Sequence, residues 1–309
     1  MKQKNSVPVY AMITITFWSL AYVLTRLALQ YFTPLSLGFL RYFTASCTLL
    51  IVALISKMKL PSRRDLPWFL LAGAAGFFLY MIAFNMGQKS VTASTASIVI
   101  STVPVLTALL ARFIYKERLS RLQWLSIGIE FAGVCVLTLM NNVFSVNKGL
   151  FWLFLAALAL SLYNLLQRKL LKTYTALQTS AFSIFFGTLM LAVFLPESVK
   201  EISQASAIQF FYVAVLGIFS SAIAYVAWSR AFAAAERTSQ VSNYMFVTPF
   251  LTSIMGFVIV GEIPEASTLI GGAIILTGVF LFHFGGQLKA KITMADMEKR
   301  EKNGKYNSV

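Results

Sequence analysis

Charge is what this sequence has least of. Only 12% of its 309 residues are Asp, Glu, Lys or Arg, and it has one histidine and two cysteines. A soluble domain of this length needs far more polar surface, so the low charge excludes that class. His283, Cys47 and Cys135 offer neither metal-ligand spacing nor a disulfide framework, and both cysteines fall in apolar runs where they read as packing residues. No G-x-x-x-x-G-K-[ST] run is present, which argues against ATP hydrolysis by this chain. The net charge of +15 brings nucleic acid to mind as a partner. The basic residues are spread over short loops and the C-terminal tail, however, which fits the cytoplasmic edge of a membrane protein instead. No cofactor is expected.

What the chain does have is hydrocarbon: 58% hydrophobic residues and a mean hydropathy of +0.74. Ten apolar segments can be marked out, at roughly 7–29, 35–56, 66–88, 92–115, 122–140, 149–168, 176–195, 207–229, 239–260 and 266–286. Each approaches the ~20 residues that a helix needs to cross ~30 Å of hydrocarbon. The breaks carry Pro34, Pro61 with Pro67, Asn141 with Asn142, Pro196 and Pro264. The first run is long and lacks a convincing small-residue cleavage site, so it reads as a retained helix. With the N-terminus inside, 21 basic residues fall in inside segments and only Lys89, Lys148 and Lys200 outside, with Arg26 and Arg41 left within helices. That asymmetry predicts both termini in the cytoplasm.

The stretch from Thr92 to Leu137 recurs. At an offset of 145, Ser94 maps to Ser239, Ser97 to Ser242, Pro104 to Pro249, Thr107 to Thr252, Glu117 to Glu262 and Gly133 to Gly278. Earlier in each half the offset is 142, taking Ser19 to Ser161 and Arg26 to Arg168, and in the third helices 141, taking Gly76 to Gly217. Five helices end on the side opposite their start, so the copy enters upside down: an inverted 5+5 repeat. The division expected is 1–146, 147–288 and a cytoplasmic tail, 289–309.

These features resemble the drug/metabolite transporter superfamily, EamA type, across nearly the whole chain. The likeness rests on Phe17-Trp18-Ser19, Leu40-Arg41-Tyr42, and Tyr115-Lys116-Glu117-Arg118-Leu119 with Gly128 and Gly133. It continues in the second copy, Gly261-Glu262-Ile263-Pro264 with Gly272 and Gly278. Ala21-Tyr22, where the family commonly has a Gly/Ser-Asn pair, and Glu130, where an aliphatic residue is usual, depart from it. The resemblance implies an all-α integral membrane fold and secondary transport, often export, of amino acids, other small metabolites or toxic compounds. It also implies that helix 5 is peripheral.

A midplane cavity should gather polar and aromatic groups from several helices. The candidates for substrate binding are Trp18, Tyr22, Tyr80, Ser97, Asn164, Tyr225 and Tyr244, although serines also serve helix packing and Trp or Tyr also form interfacial belts. Ser94, Ser97 and Ser101 share one helical face. Pro104 and Pro249 should bend their helices. Glu117 and Glu262 read as turn-fixing residues. Arg26 and Arg41 could snorkel or attract a carboxylate. Glu130 suggests proton coupling, or a structural or oligomer contact, with Gly128, Ala132 and Gly133 as a packing face. His283 sits at headgroup level.

The function expected is therefore an exporter working by alternating access in the cell membrane. The alternatives are an intramembrane lipid-modifying enzyme and a membrane sensor or assembly subunit. Expected partners are a small-molecule substrate, membrane lipid and, at helix 5, a second copy of the chain as a homodimer.

Overall fold

Every regular element among the described residues is helical. The computed structural model describes residues 6–115, 120–139, 148–235, 241, 243–266, 268–278 and 280–281. Glu117, Asn142, Ser239, Ser242, His283 and the tail lie outside them. Seven helical stretches are long and apolar enough to cross a membrane: α1 (Val7–Ala28), α2 (Pro34–Ile55), α3 (Arg63–Gln88), α4 (Ala93–Ile114), α6 (Lys148–Leu170), α7 (Ala176–Ser203) and α8 (Ala207–Ala234). Three further helices, α5 (Arg121–Leu139), α9 (Thr248–Val260) and α10 (Thr268–Gly278), coincide with the remaining apolar segments.

Local chemistry sets the starts. Thr33 caps α2, accepting from the backbone N–H of Ser36, with Pro34 in the first turn, and Thr92 caps α4 by accepting from Thr95. Thr175 and Gln178 form a reciprocal capping box at α7. As expected, a break falls at Pro196: the α-helical part of α7 stops at Leu191, a 3₁₀ turn spans Ala192–Phe194, and Pro196 follows that turn. It lies in the first turn of a continuing segment, Leu195–Ser203, where its missing N–H costs nothing.

Pro104 and Pro249 do more than bend a helix. α4 stops at Ile100, turns through Ser101 and Thr102, and resumes as Val103–Tyr115. A proline at 104 cannot donate back to residue 100 and crowds that turn. The hydroxyls of Ser101 and Thr102 donate to the carbonyls of Ile98 (2.6 Å) and Val99 (2.7 Å) beside the break. Pro249 likewise sits in the first turn of α9, after a 3₁₀ turn, Asn243–Val247. Each break is tied to a first helix. Ser161 on α6 donates to the carbonyl of Val103 (3.1 Å), and Ser19 on α1 to that of Thr248 (3.3 Å). Each acceptor immediately precedes its proline.

The helices interlock in the same reciprocal way. α1 packs on α8 and α9 where α6 packs on α3 and α4; α2 packs on α8 where α7 packs on α3; and α4 meets α9. Exchanging each helix for the one five places along leaves this pattern unchanged. α3 and α8 each contain a π-helical turn, Ala74–Leu79 and Ile218–Ile223. These turns set the equivalence of the third helices at Gly73 with Gly217, an offset of 144, and correct the 141 read from Gly76. Both glycines allow close approach. A Cβ on Gly73 would lie 2.8 Å from backbone atoms of Ser183 and Gly187 on α7, and one on Gly217 2.5 Å from Thr44 Cβ on α2. α5 and α10 also meet backbone to backbone, at Gly133 and Gly278. Gly128 touches nothing within 4 Å and Ala132 is exposed, so of the expected packing face only Gly133 is used.

The contrast is testable. Gly217→Ala is expected to cost about 1–3 kcal/mol through overpacking, and Gly128→Ala to change stability by less than about 0.5 kcal/mol, as read from thermal unfolding in detergent.

Candidate functional site

Five of the seven residues expected to bind substrate meet in one pocket. Trp18 and Tyr22 of α1, Tyr80 of α3, Ser97 of α4 and Tyr225 of α8 line it, joined by Arg41, Phe84, Ser101, Leu160, Met245 and Thr248. Asn164 and Tyr244 are not in its wall: Asn164 is buried in α6, and Tyr244 is half-buried in the 3₁₀ turn before α9. The serine face also divides. Ser97 and Ser101 reach the pocket, whereas Ser94 accepts a hydrogen bond from Ser253 of α9. The free volume is about 20 Å³, room for a water or two. The walls are nearly shut on each other.

Aromatic contacts build those walls. The ring of Trp18 lies 5.2 Å from Tyr225 and 5.1 Å from Trp228, and Phe84 lies 5.3 Å from Tyr22 and 5.5 Å from Tyr80. These spacings are those of edge-on and offset aromatic pairs. Hydrogen bonds fix the backbone behind them. Ser180 donates to the carbonyl of Tyr225 (3.0 Å), Thr14 to that of Ala224 (3.1 Å), and the Gln88 amide to that of Tyr22.

Among the described residues, Arg41 is the one charged residue in the wall. It is 4% exposed, so it does not snorkel to an interface. Its Nε donates to Ser221 Oγ at 2.7 Å and its Nη2 reaches the Ser220 carbonyl at 3.5 Å, both within the π-helical turn of α8. Its guanidinium carbon lies 5.8 Å from the Tyr42 ring centroid. Among the described residues, no acidic side chain lines the pocket. Neutral partners therefore hold a cation whose charge is left available to an anion entering the pocket. The Leu40-Arg41-Tyr42 run signalled this arginine; its neutral cradle depends on a π-turn that no sequence spacing announces.

At the end of the bundle where α1 finishes and α4 begins, Glu262 ties three elements together. It accepts from the backbone N–H of Ala93 (3.1 Å), in the first turn of α4, and pairs with Arg26 Nε (3.6 Å). A carboxylate at a helix N-terminus is favoured by the helix dipole. Arg26 also donates to the carbonyls of Gln88 (3.4 Å) and Lys89 (3.0 Å). Gly261, in the left-handed region at φ 69°, ends α9 and turns Glu262 toward α4. Glu130 lies elsewhere. Its side chain is buried against Gly278 of α10 and is not part of the pocket wall.

A bundle of apolar helices around a closed aromatic pocket with one buried cation fits a multi-pass membrane transporter, and the comparisons point to that class. The model of the EamA-like transporter family matches residues 6–139 and again 147–284; the chain belongs to this family. It is 32% identical over 268 residues to an uncharacterized transporter, YdfC, of Bacillus subtilis (strain 168), covering 86% of this chain and 87% of that one. A probable terminal-alkyne amino-acid exporter of Streptantibioticus cattleyicolor is 29% identical over 281 residues, covering 91% and 94%. An S-adenosylmethionine uptake transporter of Rickettsia prowazekii (strain Madrid E) is 25% identical over 241 residues, covering 77% and 79%. A solved crystal structure shares the fold with a TM-score of 0.63 at 18% identity, over 90% of this chain and 97% of that one.

Two substitutions test the carboxylates that lie outside the pocket. Glu262→Ala is expected to lose about 1 kcal/mol of stability, since it removes the ion pair with Arg26 and the acceptor of the Ala93 N–H at a partly exposed site. If transport is proton-driven, Glu130→Gln is expected to keep substantial pH-dependent transport. Loss of proton dependence in a folded, correctly inserted Glu130→Gln protein would make this carboxylate the coupling site.

Proposed function

We propose that this protein is a secondary transporter of the cell membrane that exports amino acids or similar small carboxylate-bearing metabolites by alternating access. The observation that carries the reading is Arg41: a buried guanidinium on neutral partners, facing a pocket with aromatic walls and no carboxylate of its own. A substrate carboxylate accepts from such a fork in bidentate geometry. An ammonium or apolar side chain on the same molecule suits the faces of Trp18, Tyr22, Tyr80 and Tyr225. A phosphate would call for several basic groups, and only one is there. The relative named as an amino-acid exporter supports both substrate class and direction, and relatives named as transporters favour carriage over catalysis.

In this reading ten spanning helices form two inverted five-helix halves, 1–146 and 147–288, with both termini and the tail at 289–309 in the cytoplasm. The reciprocal packing of helices five places apart and the paired Ser19 and Ser161 bonds support it. Rocking of one half against the other about the pocket opens it first to one side and then to the other. Pro104 and Pro249 shape the helices at the pocket, and Glu262 fixes the turn on one side; by the repeat, Glu117 is its counterpart in sequence.

Transport into inside-out and right-side-out vesicles, with an amino-acid panel and the proton gradient on or off, tests the function. Inside-out vesicles are expected to accumulate amino acids, and their decarboxylated amines to compete at least ten-fold more weakly. Arg41→Gln should lower amino-acid transport by roughly ten-fold to a hundred-fold, the equivalent of a charged hydrogen bond lost. Arg41→Lys should recover only part, since an ammonium lacks the planar fork. Equal competition by amines would refute the carboxylate role. For topology, in a background lacking Cys47 and Cys135, a cysteine at Asn142 should react with an impermeant reagent in intact cells and one at Lys302 should not. The opposite pattern would overturn both orientation and inversion.

A further inference from the structure

A second concavity lies away from the pocket, on the outer surface formed by α3, α6 and the C-terminal end of α4. It encloses about 790 Å³ and its body is hydrocarbon. Leu71, Leu79 and Ile114 are 50%, 52% and 56% exposed there, so the groove opens sideways. One end differs. Where α6 finishes, Arg168, Lys169 and Lys172 line the groove with Trp68 of α3, and Lys169 Nζ lies 3.0 Å from the centroid of the Trp68 ring. That contact holds an ammonium over the end of the groove, at the level where an aromatic ring and a cation mark a membrane interface.

We infer that this groove is a binding site for an anionic phospholipid of the adjoining leaflet. Length supports it. From Trp68 to Leu79 the helix rises about 16 Å, close to the ~15 Å half-thickness of a bilayer core, so one acyl chain fits from mouth to end. Charge supports it as well: a lipid phosphate meets Lys169 and Lys172 while its chains cover the exposed leucines. A second copy of the chain would have to bring its own anion to two lysines while filling a channel suited to a flexible chain.

Native mass spectrometry of the full-length protein tests the site, with phosphatidylglycerol, phosphatidylcholine and inorganic phosphate as separate probes. Phosphatidylglycerol is expected to be retained about ten-fold or more over phosphatidylcholine. K169Q and K172Q should each reduce that preference by about five-fold, as the loss of one surface-lipid attraction predicts, and L162W should obstruct the groove and reduce retention of the bound lipid while the lysines remain. Unfolding temperatures measured without added lipid show that each variant is folded. Unchanged phosphatidylglycerol retention in both the doubly charge-neutralised variant and L162W overturns the proposal. So does displacement of the lipid by inorganic phosphate at matched ionic strength, which identifies a free-anion site instead.

Discussion

Backbone polar groups inside hydrocarbon have no water to turn to, and that constraint governs what this protein can do with a broken helix. Pro104 interrupts α4 where its side chains reach the pocket, and the hydroxyls of Ser101 and Thr102 bond the carbonyls of the turn before it. Ser161 and Ser19 supply a further donor at each break from across the bundle. The small residues along these helices are therefore local solvent for irregular backbone as much as spacers between helices. A pocket lined by Ser97, Ser101 and Thr248 becomes available because the irregular turns beside it are already satisfied.

The same economy holds the charge. An arginine buried among aromatic rings is normally met by a carboxylate, and a built-in carboxylate would compete with any anion that enters. Arg41 is met instead by a serine hydroxyl and a backbone carbonyl. Both come from a π-helical turn, in which the extra residue rotates carbonyls and side chains out of the regular ladder. The partners orient the guanidinium without neutralising it. In the proposed function, specificity then rests on one hydroxyl at 2.7 Å and on the turn that presents it.

The sequence made the architecture legible because hydropathy and internal repetition act over whole helices and tolerate local error. Apolar runs located the helices, and the matched Ser19–Ser161 and Pro104–Pro249 pairs anticipated which residues occupy equivalent places. The pocket was legible where a side chain's chemistry was unusual for a membrane helix, as with Trp18, Tyr22, Tyr80, Ser97 and Tyr225. Asn164 and Tyr244 fall outside the wall because rotation about a helix axis follows packing, and Tyr244 belongs to a 3₁₀ turn in which α-helical spacing no longer applies. The π-turns occur in both third helices and leave their relative register unchanged; they pair Gly73 with Gly217, whereas matching by residue type alone had paired Gly76 with it. Pro196 marked a break in the α-helix, and it opens the next segment because a proline in a first turn forfeits no hydrogen bond.

The interlocking of α2 with α8, and of α3 with α7, bears on how the chain is made. Arg41 and the serine that holds it are 180 residues apart, which at ribosomal speed is roughly ten to forty seconds of synthesis. Through that interval the early helices are already exported from the ribosome with a charge and two glycine seams, Gly73 and Gly133, that only later helices cover. The nascent first half must wait beside the insertion machinery or keep Arg41 near water until α8 arrives. Assembly of this membrane protein is thus a late event in its own translation, completed from the second half backwards onto the first.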